Sequence, residues 1–170
     1  MLSREYEIFT ILQHWKPCHD VLPPEALLDP REPLFPLFLF LYNRAKQAYA
    51  RLPLRANGEN PFLHPLNVVL NFKKARLTYP LTACVGLAHD LIEEEVDLFQ
   101  SAQQIPDTLE GKEQLDKEEE QITACLSHEL LQGCQSQGLP TSVHDHILTA
   151  LKLLTRHKRH YYYTSIAEIF

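Results

Sequence analysis

Apolar positions recur along this chain at three- and four-residue intervals, in stretches separated by prolines and short polar runs. Tyr6, Phe9 and Leu12, followed by Trp15, place a helix over residues 3–15 with Ser3 as its N-cap. Residues 16–33 hold five prolines and predict a loop or a broken short helix. A helix over 34–51 is apolar at first and amphipathic later. The loop from Pro53 to Pro61 leads into a helix over 62–77. Pro65 is tolerated near its start, because first-turn N–H groups have no intrahelical partner. After a turn at Thr78-Tyr79-Pro80, residues 81–94 read as a helix that is apolar on nearly every side until His89, hence a buried one. Residues 96–111 predict a loop with one helical turn. A long helix over 112–136 has an acidic first half, part of which sits favourably at the positive end of the helix dipole. Gly138-Leu139-Pro140 breaks the chain. Thr141 then caps a helix to about residue 155, with Val143, Ile147, Ala150, Leu151 and Leu154 on one face, and a last helix starts within 156–170. The pattern predicts an all-α, single-domain bundle of roughly seven helices over residues 1–170.

Composition agrees with this and narrows the function. Among 170 residues there are only 5 glycines, and long runs of Leu, Ala, Glu, Gln and Lys favour helices over tight hairpins, while 12 prolines punctuate them. The net charge of −6 argues against a nucleic-acid partner but leaves room for an anionic small molecule at a locally positive site. Cys18, Cys84, Cys125 and Cys134 form no CxxC pair and suit reduced thiols of a cytoplasmic protein. The N-terminus has no basic region leading into an apolar core. The longest apolar run, Leu34 to Tyr42, contains a proline and is too short to span a bilayer, so no membrane partner is expected.

The chemistry concentrates between Asn57 and Glu95. His64 stands early in one apolar helix, His89-Asp90 late in the next, and Glu93, Glu94 and Glu95 follow. Histidine and carboxylate suit Mn²⁺, Fe²⁺, Zn²⁺ or Mg²⁺. Adjacent helical residues lie about 100° apart, so His89 and Asp90 can reach one ion at the helix edge. His64 can supply a third ligand across a packed helix pair. Glu93 is three residues after Asp90 and four after His89, and Glu94 is four after Asp90, which places both on the metal's side. An ion there activates a water and polarises a phosphoryl oxygen, and the glutamates orient that water or move its proton. A lone His-Asp dipeptide also arises by chance, and a helix ending in three glutamates is commonly just solvated. The apolar context favours the metal, since a His and an Asp ending a buried helix are costly without a partner.

Four other features invite a functional reading. His19-Asp20 lies among Pro17, Pro23 and Pro24 with no helical face to carry a partner, and reads as a decoy. His144-Asp145 is accounted for by a polar helix face. The basic run Arg156-His157-Lys158-Arg159-His160 could hold phosphates, or simply follow a helix C-terminus as solvated cations. Tyr161, Tyr162 and Tyr163 could stack on a base or pack.

The two blocks together resemble the HD-domain superfamily of metal-dependent phosphohydrolases, and most narrowly the hydrolase domain of the RelA/SpoT type. That family's first block is Arg, Lys, a small residue, Gly-Glu and then His-Pro; here it is Arg55, Ala56, Asn57, Gly58, Glu59 and then His64-Pro65. Its second block, Ala-Leu-Leu-His-Asp-x-Ile-Glu-Asp, corresponds to Gly86-Leu87-Ala88-His89-Asp90-Leu91-Ile92-Glu93-Glu94. The resemblance covers roughly Tyr42 to Glu95. It implies His64, His89 and Asp90 as metal ligands, Glu93 and Glu94 as the acidic pair acting on the water, and Arg55 and Asn57 beside a bound nucleotide. It further implies manganese as the divalent ion and a guanosine polyphosphate, losing its 3′-pyrophosphate, as substrate. The chain departs from the pattern at Ala56, where the family has lysine, and at Glu94, where it has aspartate. The family also takes a late-helix aspartate as ligand. Leu153-Leu154-Thr155-Arg156 and Tyr161 to Phe170 resemble the part preceding it, which implies a site completed beyond Phe170 or one with three protein ligands; Asp145 is a conceivable substitute. The alternative expectation is a degenerate domain that binds a nucleotide or a protein partner without hydrolysis.

Overall fold

The computed structural model describes residues 17–77 and 79–155, and its regular structure is entirely helical. The helix expected at 3–15, the basic run at 156–160, the three tyrosines and the last helix lie outside the described residues. Seven helices follow in chain order: α1 (Pro24–Leu27), α2 (Phe35–Tyr49), α3 (Leu63–Lys74), α4 (Pro80–Ala88), α5 (Leu91–Gln103), α6 (Leu109–Ser136) and α7 (Thr141–Leu154). None of them is long and apolar enough to cross a membrane.

Helix α2 buries Leu37, Phe38, Leu41, Tyr42, Ala45, Ala48 and Tyr49, one stripe at helical spacing. Neither of its ends carries a side-chain cap, so this face holds it. Each of the larger apolar side chains contributes about 1.5–3 kcal/mol on full burial. Helix α4 is the hub. It packs on α2, α3 and α7, so it has almost no solvent face, and its apolar run PLTACVGL follows from that. A Cβ added to Gly86 of α4 would stand 2.4 Å from the Phe72 ring of α3, so the missing side chain lets these two helices approach. A second, smaller cluster joins Val96, Ile105 and Leu115 where α5 turns back along α6.

Two segments differ from the expected pattern. The helix expected over 81–94 is interrupted: α4 ends at Ala88, and Asp90 at φ −100°, ψ 3° separates it from α5. The loop expected over 96–111 is mostly helix, since α5 continues to Gln103. Val96 is fully buried and Phe99 packs against it, so the helical period persists through a stretch whose polar residues hid it. Gln104 ends α5 in the left-handed conformation, with its N–H on the carbonyls of Gln100 and Ser101. Helix α6 begins at Leu109 rather than 112, because Thr108 caps it by accepting from the Gly111 N–H at 3.1 Å. In α7, Ile147 and Leu151 are buried as expected, but Leu154 is 42% exposed and His144 is buried in its stead. Thr141 is the first helical residue of α7; Pro140 holds the cap position and no side chain caps that end.

Candidate metal centre

One end of the bundle gathers the C-terminus of α2, the loop before α3, the start of α3 and the α4–α5 junction. His64 is the second residue of α3, and its ring faces His89 with centroids 5.0 Å apart. Asp90 is the N-cap residue of α5, yet its side chain caps nothing. An aspartate there would normally accept from the first-turn N–H groups. Its Oδ2 instead lies 3.0 Å from His64 Nε2 and 3.0 Å from His89 Nε2, and the two imidazole nitrogens are 3.2 Å apart. A proton can be shared by only two of these atoms at a time, whereas a cation can face all three. Adjacent ligands in an octahedral shell with bonds of about 2.1 Å stand ~3 Å apart, so the separations fit a divalent ion. His64, His89 and Asp90 form a group that could hold a metal ion.

The orientations of these side chains are built into the helices. His89 Nδ1 donates to the Gly86 carbonyl at 2.9 Å, which leaves Nε2 as the nitrogen facing Asp90. His64 stands two residues after Phe62, whose ring is packed by Tyr42 at 5.2 Å and Tyr49 at 6.0 Å. Burial pushes the Asp90 carboxyl up, but hydrogen bonds from His64 and His89 outweigh it and hold the group below the usual carboxylate range. Burial likewise pushes His89 down, but the Asp90 hydrogen bond and charge outweigh it and raise the imidazole above its ordinary value.

Glu94 stands one turn on, its N–H bonded to the Asp90 carbonyl at 2.9 Å. Half-burial raises its carboxyl above the usual range, and the charges of Asp90 and Asp97 add to that. Glu93 lies in the same first turn of α5. Glu95 faces away, pairing with Arg44 of α2, which also binds Glu129 of α6 at 3.1 Å; it ties three helices together. Arg55 is exposed in the loop before α3, close enough that its charge acts on Glu94 and Tyr49. Asn57 is engaged within that loop: Nδ2 donates to Glu59 at 2.6 Å and Oδ1 accepts from the Glu59 N–H at 3.1 Å. Gly58, at φ 81°, closes the turn by donating to the Arg55 carbonyl at 2.7 Å. Two features of this end of the bundle were not singled out from sequence. One is the Gly86 carbonyl. The other is the Tyr49 hydroxyl, which is buried and finds no hydrogen-bond partner among the described residues.

The other His-Asp pairs stand apart from this group. His19 Nδ1 pairs with Glu59 on the surface at 3.1 Å. His144 Nδ1 lies 2.9 Å from Asp145, and its Nε2 lies 3.0 Å from Ser127 Oγ. That Ser-His-Asp chain borders a cavity of about 370 Å³ whose lining includes Ile92, Glu119, Thr123, Ser127, Leu148 and Lys152 and none of His64, His89 and Asp90. Ser127 lies within α6, where its backbone N–H is committed to the helix and cannot serve as an oxyanion donor, so the chain serves to satisfy a buried imidazole. Asp145 is 65% exposed at its side chain and is not part of the metal-capable group. No family model, curated protein or solved structure matches this chain.

Proposed function

We propose that this chain is a metal-dependent phosphohydrolase of the HD type that removes phosphate or pyrophosphate from a nucleotide. A guanosine polyphosphate is the preferred substrate class and Mn²⁺ the preferred ion. The observation that carries the reading is the convergence of His64 Nε2, His89 Nε2 and Asp90 Oδ2 within 3.0–3.2 Å, drawn from two packed helices and the junction after them. When bound, the ion supplies Lewis acidity toward a phosphoryl oxygen and toward water. Glu94, with its raised carboxyl, is suited to accept a proton from the attacking water, and Glu93 in the same turn helps orient it. Arg55 offers the positive charge that a phosphate chain requires. The Gly86 carbonyl keeps His89 in one tautomer and orientation.

The test is release of phosphate or pyrophosphate from a panel of nucleotides with Mn²⁺ added, repeated with His89→Ala and Asp90→Ala. Stimulated release that both substitutions abolish supports the reading. No release from a fully metal-loaded protein argues against it. A second reading, a domain that binds a nucleotide or protein partner without turnover, is favoured by one observation: Asp145 is engaged by His144, leaving three protein ligands among the described residues. Nucleotide binding to a protein that takes up no Mn²⁺ would select it.

A further inference from the structure

Tyr42 and Tyr49 stand two turns apart on the same face of α2, and both rings pack against Phe62. Their hydroxyls differ. That of Tyr42 donates to the Leu22 carbonyl at 2.7 Å. That of Tyr49 is buried without a partner among the described residues, although the residue is only 1% exposed. An unpaired buried hydroxyl costs free energy that a phenylalanine would not, and an acceptor arriving with a ligand would relieve that cost. Its surroundings say which ligand. The Tyr49 ring packs on Phe62, the cap residue of the helix that carries His64, and the charges of Asp90, Glu94, Arg55 and Glu93 act on the hydroxyl, which places it at the metal-capable end of the bundle.

We infer that the Tyr49 hydroxyl is a substrate contact, donating a hydrogen bond to an oxygen of the phosphate group that the centre takes. The inference rests on the phosphohydrolase reading and adds to it a residue for gripping the phosphate. Burial, chiefly, and then the neighbouring carboxylates keep the phenol protonated far above neutral pH, so it acts as a donor and not as a base. Arg55 and Tyr49 then provide a charged and a neutral donor for the same anion.

The experiment compares Tyr49→Phe and Tyr42→Phe with the wild type, measuring Mn²⁺ affinity, the melting temperature of the metal-free protein, and inorganic phosphate affinity of the Mn²⁺-loaded protein by calorimetry. Tyr49→Phe is expected to weaken phosphate binding about tenfold, the loss of one hydrogen bond to a charged acceptor. Its Mn²⁺ affinity stays unchanged and its melting temperature does not fall. Tyr42→Phe lowers the melting temperature and leaves phosphate affinity alone. The inference is overturned if Tyr49→Phe binds phosphate like the wild type, if it melts lower as Tyr42→Phe does, or if the loaded wild type binds no phosphate. Turnover separates this from the reading beneath it. A protein that hydrolyses nucleotides equally well with Tyr49→Phe sinks the tyrosine and keeps the phosphohydrolase. A protein that hydrolyses none, yet binds phosphate through Tyr49, does the reverse.

Discussion

His89-Asp90 and His144-Asp145 are the same dipeptide at two helix starts or junctions, and their surroundings give them opposite roles. At the first, the aspartate forgoes capping α5 and turns to two imidazoles, one of them from another helix. At the second, the aspartate bonds its own neighbour, the histidine's other nitrogen meets a serine hydroxyl, and every strong donor has its acceptor. A closed hydrogen-bond chain satisfies a buried imidazole and leaves nothing over. A convergence of three lone-pair atoms leaves a place for a cation. What separates the two is His64, delivered by the α3–α4 packing that Gly86 permits.

Substitutions at the two dipeptides should have the largest and most different effects. Asp90→Ala or His89→Ala is expected to abolish Mn²⁺ binding and to reduce any metal-dependent turnover by roughly a thousandfold or more, while His144→Ala and Asp145→Ala keep both, as read by calorimetry and phosphate release. Glu94→Gln should cost about 10²–10⁴-fold in turnover if the carboxylate accepts the water's proton. The same change should raise the melting temperature of the metal-free protein at neutral pH, because it removes a charge that burial, Asp90 and Asp97 disfavour. Gly86→Ala drives a methyl into Phe72 and should cost about 1–3 kcal/mol in chemical denaturation, with weaker Mn²⁺ binding as α3 and α4 separate. His144→Ala should cost a similar 1–2 kcal/mol or so by loss of its hydrogen bonds, with the metal centre untouched.

The smallest effect is in pH. His89 is raised in the folded, metal-free protein, so its protonated contact with Asp90 stabilises the fold below the unfolded histidine's value of about 6.5 and is lost as pH rises through the raised value. Asp90 is lowered, so its contribution is present above about 3.9 and is lost only on strong acidification. Metal-free melting temperature should therefore decline on going from mildly acidic to alkaline buffer. Mn²⁺ should reverse the decline, since the ion takes the place of the proton.

Much of this was legible from residue order. The period of apolar residues marks α2, α3, α6 and α7, and a helix apolar on all sides could only be a hub such as α4. His64, His89 and Asp90 were singled out by type and spacing, and they meet. The break at Asp90 was not legible, because no glycine or proline marks it. Nor was the extension of α5 to Gln103: Leu91, Ile92, Val96 and Phe99 keep the helical period, but the polar run of Glu93, Glu94, Glu95, Asp97, Gln100 and Ser101 obscures it. The Tyr49 hydroxyl was invisible for a different reason: a tyrosine in an apolar stripe reads as core, and only its neighbours reveal that its ring is buried and its hydroxyl unpaired.

An ion held across two helices depends on His64, the one member of the group that comes from α3. Mn²⁺ binding followed by electron paramagnetic resonance, wild type against His64→Ala, tests it most directly. One tightly bound ion per chain is expected in the wild type, with a loss of affinity of at least about a hundredfold in the variant, at unchanged helix content. Equal affinity in the two proteins, or no stoichiometric binding in either, would contradict it.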